Sequence, residues 1–411
     1  MDNSHEQMDL ERRRDSQQWI LDYVIKASGR EQNFEADGRR FPPAVKSHDM
    51  IPRVMYRRGR HKEHLAQQAE SLGSPETSVQ LYFEASHDYA LAQHAIYQDD
   101  NAEKIHICSR LRNCYDRIIA LNATPIERVE VDLEGQQLSG LLHLVPGSEP
   151  RPVVVYCPGM DMTKEAFPHP ARNWYLERGM HLLAIDGPGQ GESNLRKVRV
   201  TADNYEKGAN RFIDHLMARP EVDTTQIGIT GRSMGSYWAM RVAATDERVS
   251  AVATSIANYG SKRHIFERSS PRFKQVFMYM AGVHDEDTFD QLVSKMTLID
   301  VAHKITCPTL MVIGEYDPLT PLDEAEDVFE RVAGPKEMWV VEDGFHPLRG
   351  LEHFGTLEPD AFLADWLRQA LAGRAPRSDG RKVLVQAKGD GPYGEPVRGF
   401  TLPERDERVA L

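Results

Sequence analysis

The sequence lacks the features that mark membrane, secreted and nucleic-acid-binding chains. No apolar run approaches the roughly 18 to 20 residues needed to cross a bilayer. The N-terminus, Met-Asp-Asn-Ser-His-Glu-Gln-Met-Asp-Leu-Glu-Arg-Arg-Arg, is charged with no apolar run behind it, so it reads as neither signal peptide nor membrane anchor. Cysteine is scarce: Cys108, Cys114, Cys157 and Cys307 are the only 4 in 411 residues. No Cys or His pair near Cys108 and Cys114 completes a zinc-type spacing, so no metal is expected. A chain this long buries a large core without disulfides, so all four read as reduced thiols in a cytoplasmic-type protein. Positive charge is not in excess either. With Asp+Glu at 62 and Lys+Arg at 50, the formal charge is -12, which argues against nucleic acid or anionic membranes as partners. No repeat recurs at solenoid-like periods. What remains, 40% hydrophobic and 27% charged, is an ordinary globular composition with room for two or three domains.

Residues 1–124 read as helical. From Thr77 to Leu121 the chain is free of Pro and Gly, and Leu81, Ala85, Tyr89, Ala92 and Ile96 recur at helical spacing, as do Ile107, Leu111, Cys114, Ile118 and Leu121. Thr77 or Ser78 behind Pro75 supplies a start signal. The basic cluster Arg53 to Lys62 reads as a solvated face or loop. At Pro125 the pattern changes: Ile126 to Leu133 alternates apolar and polar, and a Gly135 turn leads into a second strand from Leu138 to Val145. Strand-like runs follow at Val153 to Cys157, His181 to Ile185, Gln226 to Thr230, Ser250 to Ile256, Thr309 to Ile313 and Met338 to Val341. Helical patterns lie between them, at 164–178, 202–218, 235–245, 322–332 and 360–371. This alternation predicts a mostly parallel, doubly wound α/β sheet with right-handed crossovers. It spans 125–258 and resumes over 306–373. The intervening stretch, 259–305, is far too long for a loop and predicts a helical insertion. Beyond Gly373 the composition of 374–411 predicts an extended tail.

The chemistry-bearing motif is Gly231-Arg-Ser233-Met-Gly235. Alone, G-x-S-x-G is weak, since roughly one chain in seven of this length holds it by chance. Here it follows a buried strand and opens a helix, as a nucleophile elbow does. A small-residue packing turn is the alternative. A serine hydroxyl needs a base and the base needs an orienting acid. Asp317 follows the strand Thr309 to Ile313, and His346 follows the last strand, giving the order Ser, Asp, His. Glu315 and Asp343 compete for the acid role, but Asp317 is better placed after its strand. The tetrahedral oxyanion needs backbone donors. Met234 is one, and Met160, with Gly159 close behind, is expected to supply the other. Asp186-Gly-Pro-Gly-Gln-Gly191-Glu-Ser193 lacks the G-x-G-x-x-G spacing, and no P-loop is present, so no nucleotide cofactor is expected.

These motifs resemble the α/β-hydrolase superfamily over residues 125–373, including its D-x-P-G-x-G-x-S stretch after the fourth strand. More narrowly, the helical N-terminus, Pro158-Gly-Met-Asp-Met-Thr-Lys164-Glu165 and Gly231-Arg-Ser-Met-Gly235 are similar to one branch of it. That branch holds 2,6-dihydroxypseudooxynicotine hydrolase and the esterase-like relatives of fermentation-respiration switch protein, and fungal polyketide-shortening hydrolases also resemble it. The resemblance implies a helical N-terminal cap that can mediate a homodimer. It also implies an accessory carboxylate on the insertion after strand 6, for which Glu267 is the candidate and His264 a neighbour. An ion pair with Arg263 or Arg268 is the plainer reading of Glu267.

The function expected is therefore serine-dependent hydrolysis of a carbon–carbon bond beside a ketone, on an aromatic or polyketide-like compound. Esterase or thioesterase activity is the runner-up, and a non-hydrolytic cyclase or acyltransferase would use the same residues with water excluded. Trp19, Tyr23, Phe266, Phe273 and Phe277 are candidates for an apolar pocket, although each also suits plain core.

Overall fold

A computed structural model describes residues 30–31, 39–257, 259–269, 271–346, 348, 351–374 and 380–397. Nine strands form one sheet: β1 (Ile126–Leu133), β2 (Gln136–His143), β3 (Arg151–Cys157), β4 (His181–Asp186), β5 (Val222–Ser233), β6 (Val249–Ala257), β7 (Thr309–Gly314), β8 (Lys336–Val341) and β9 (Arg381–Val385). Their order is β9-β8-β7-β6-β5-β3-β4-β2-β1. The hairpin β1–β2 and the pair β2–β4 are antiparallel, and every other pair is parallel. The central strands β3, β4 and β7 are buried along almost their whole length, as strands covered on both faces must be. One apolar cluster centred on Phe212, Trp238 and Met311 packs one face; another, with Tyr156, Trp339 and Trp366, packs the other.

Three long helices precede the sheet: α1 (Ile51–Ser71), α2 (Pro75–His94) and α3 (Ala102–Leu121). They share a third core through Tyr82, Tyr89, Tyr115 and Ile118, which reaches Ile126 and Leu141 of the hairpin. At Gly59 a Cβ would strike the Tyr89 ring, so the close approach of α1 to α2 there requires glycine. The basic run from Arg53 is part of α1 rather than a loop. Its arginines 53, 57, 58 and 60 are exposed, while Lys62 pairs with Glu84 and Asp88.

The crossover helices are α4 (Asn204–Met217), α5 (Met234–Thr245), α9 (Leu322–Arg331) and α10 (Pro359–Leu371). The insertion between β6 and β7 holds α6 (Lys262–Arg268), α7 (Pro271–Ala281) and α8 (Glu286–Val293). The helix expected over 164–178 is corrected: only Lys164–Ala166 and Trp174–Glu177 are helical turns. Pro168 and Pro170 lie between them and cannot donate to a helical ladder. The tail, expected to be extended, contains a strand of the sheet. Arg381–Val385 pairs in parallel with β8, because Val383 and Val385 bury against it in a run too short to stand out from the surrounding glycine and charge. Among the described residues, no helix is long and apolar enough to cross a membrane.

Candidate active site

β5 ends at Ser233 and α5 begins one residue later. Ser233 adopts φ 52° and ψ −124°, a strained conformation for a residue with a side chain. The turn survives because its neighbours are clamped. A Cβ on Gly231 would overlap the Gly235 carbonyl, and one on Gly235 would overlap the Cys157 carbonyl, so both glycines are sterically required. Arg232 reaches Asp360 of α10 at 2.8 Å, and Ser236 Oγ donates to the Ser255 carbonyl at 2.8 Å. A strand-to-helix turn held in this way projects the serine hydroxyl above the sheet.

His346 joins Ser233 and Asp317. Its Nε2 lies 3.1 Å from Ser233 Oγ and its Nδ1 lies 3.0 Å from Asp317 Oδ2. Asp317 is 3% exposed and His346 8%, so the link is shielded from water. Asp317 Oδ1 also accepts the Leu319 N–H at 2.9 Å, which fixes the carboxylate plane. The rival acids are otherwise engaged: Glu315 Oε2 accepts the Asp343 N–H at 3.0 Å, and Asp343 is exposed.

The loop after β3 runs beside the serine. A Cβ placed on Gly159 would lie 3.4 Å from Ser233 Cβ, and Met160 and Met234 are both buried. This loop is fastened from behind. Gln190 Nε2 donates to the Gly159 carbonyl at 2.8 Å, and Asp186 Oδ1 accepts the Lys164 N–H at 2.8 Å. Lys164 is itself fully buried, with Nζ 2.7 Å from Glu165, 2.8 Å from Asp186 and 3.4 Å from Glu192. Burial opposes its charge, but Asp186, Glu165 and Glu192 outweigh that and hold its pKa above the usual lysine value. Burial lifts the Asp186 carboxyl to about 6, against the pull of the Lys164 ammonium. The glycine-rich stretch after β4 therefore braces the loop beside the serine.

Met160 and Gln190 form part of a cleft between this loop, the N-terminal helices and α7. Its other walls include Tyr97, Thr163, Asn194, Tyr279 and Met280. The sequence pattern did not point to these residues. They come from four separate segments, and no local spacing links them. Glu267 is exposed on α6 and is not one of the cleft walls, and the side chain of His264 lies outside the described residues. Phe266, Phe273 and Phe277 pack on one another, with Phe266 ring centroids 5.5 and 5.0 Å from the other two, so they build the core of the insertion. Trp19 and Tyr23 lie outside the described residues. Among those residues no cluster of His, Cys, Asp and Glu is arranged to hold a metal ion.

The sheet order, the helices on both faces and the strained serine turn define an α/β-fold hydrolase. Residues 54–338 match the model of the Esterase FrsA-like family, and the chain belongs to that family. It is 30% identical over 280 residues to 2,6-dihydropseudooxynicotine hydrolase of Paenarthrobacter nicotinovorans, covering 67% of this chain and 71% of that one. It is 23% identical over 328 residues to Esterase FrsA of Yersinia enterocolitica, covering 74% of each. The solved structure of the 2,6-dihydroxy-pseudo-oxynicotine hydrolase superposes with a TM-score of 0.70 at 26% identity, over 80% of this chain and 90% of that one.

Proposed function

We propose that the chain is a serine-dependent hydrolase that cleaves a carbon–carbon bond beside a ketone, in a β-diketone or acyl-aromatic substrate. The observation that carries the mechanism is the relay from Ser233 Oγ through His346 to Asp317, at 3.1 and 3.0 Å. His346 removes the Ser233 proton as the hydroxyl attacks the carbonyl. Asp317 holds the imidazole tautomer and stabilises its positive charge. The N–H groups of Met234 and of Met160, or of Gly159 beside it, receive the oxyanion. The carbon–carbon bond then breaks, and the carbanion takes the proton from His346. Water, deprotonated by His346, releases the acid from the serine ester.

The bond type is supported by the 30% identity with 2,6-dihydropseudooxynicotine hydrolase. An esterase acting on an aromatic or polyketide-like ester is the second reading, favoured by the family match. The two share the triad and differ in the leaving group. An assay of the enzyme and its Ser233→Ala variant against an aryl β-diketone and a p-nitrophenyl ester separates them. Diketone turnover that is lost in the variant supports the first reading, and ester turnover alone supports the second. Water labelled with heavy oxygen extends the test: label absent from the product would point to a cyclase or acyltransferase. Glu267→Gln tests the accessory role. Selective loss of diketone turnover assigns Glu267 a part in proton delivery, and unchanged turnover leaves that step to His346.

A further inference from the structure

The cleft beside the Gly159–Met160 loop contains polar atoms that the triad does not use. Thr163 is 5% exposed and Asn194 4%, and both line the cleft. Thr163 Oγ1, Asn194 Oδ1 and Asn194 Nδ2 have no hydrogen-bond partner among the described residues. Buried polar atoms are nearly always paired, and leaving them unpaired is costly, so three on one cleft call for a missing partner. Other cleft groups are already committed: Gln190 Oε1 accepts from Tyr205 at 3.0 Å, and Lys104 Nζ donates to the Ile96 carbonyl at 2.9 Å. The cleft lies beside the reacting centre, although the triad side chains are not among its walls: Met160 is one of them, and the preceding Gly159 abuts Ser233.

We propose that Thr163 and Asn194 form a polar subsite for the end of the substrate remote from the scissile bond. Its ligand is an uncharged group that donates and accepts side by side: a phenol or enol hydroxyl, or a carboxamide. An asparagine amide presents one donor and one acceptor edge, and the threonine hydroxyl adds a third contact of either sense. Neither carries charge, and the charged cleft walls Lys104 and Asp161 are of opposite sign. Tyr97 and Tyr279, with ring centroids 6.2 Å apart, add aromatic surface. The ligand that satisfies both features is a ring-hydroxylated aryl ketone or ester. This inference rests on Ser233 acting as the nucleophile.

Binding tests it without turnover. Ser233→Ala protein is titrated calorimetrically with an aryl β-diketone bearing a ring hydroxyl and with its deoxy counterpart. The hydroxylated compound binds about 10- to 100-fold tighter. Adding Thr163→Val and Asn194→Leu brings that ratio to about one while deoxy binding stays the same. The near-isosteric Asn194→Asp, which removes the amide donor, lowers the ratio in a protein of unchanged shape. Equal binding of the two compounds, binding of neither, or a ratio that survives the substitutions overturns the proposal. Failure of the nucleophile reading looks different: Ser233→Ala would keep its activity whatever the binding ratio.

Discussion

Ser233 carries backbone strain that only its surroundings maintain, and the two flanking glycines are where that strain is most easily exposed. Gly231→Ala and Gly235→Ala each force a methyl into a backbone carbonyl. Each is expected to cost about 2–4 kcal/mol in urea unfolding and to remove activity together with stability. Asp317→Asn behaves differently. It preserves shape while presenting the wrong group to His346 Nδ1, so turnover falls by about 10⁴-fold with unchanged unfolding. If its turnover stays within tenfold of the native enzyme, Glu315 or Asp343 is the working acid. Ser233, Asp317 and His346, which the structure brings within hydrogen-bond distance, were legible in the sequence because each follows a strand, and strand ends are local patterns. Thr163 and Asn194 were not, because the cleft exists only once the helices, the β3 and β4 loops and α7 have packed together.

At the scale of elements, the alternation of strands and helices made the sheet readable, while Pro168 and Pro170 defeated the helix expected from 164 onward. β9 was hidden by its flanks of glycine and charge. It covers the edge of β8, whose Glu337 accepts both the Trp339 and Trp366 indole N–H groups, at 2.8 and 3.2 Å. Ending the chain at residue 374 uncovers that edge. The shortened protein is expected to unfold at lower urea and to aggregate, as an open edge strand does. Unchanged unfolding would make β9 dispensable. The brace behind the serine loop is a second element-scale device. Lys164→Met strands Asp186 and Glu165 as buried carboxylates, at an expected cost of about 3–5 kcal/mol.

For the whole molecule, the seam between helical layer and sheet responds to acid. His143 of β2 is fully buried, with the Tyr115 hydroxyl of α3 3.5 Å from its Nε2, and burial pushes its pKa down to about 3 from an ordinary 6.5. Between those values the unfolded chain binds a proton that the folded chain refuses. The contribution of this histidine is therefore complete above pH 6.5 and is lost as pH falls toward 3, by about 1.4 kcal/mol per pH unit. Urea unfolding of the native protein and of His143→Leu at pH 7, 6, 5 and 4 reads this directly. The native protein should lose ground to the variant as pH falls, and parallel curves would exclude His143 as the cause.

The proposed mechanism stands or falls on the identity of the nucleophile. The protein is treated with a fluorophosphonate probe, digested, and its peptides mapped by mass spectrometry. A single adduct is expected on Ser233, absent from Ser233→Ala and abolished when His346 is replaced by glutamine. An adduct on another residue, or an enzyme that turns over its substrate with Ser233 absent, would contradict that mechanism.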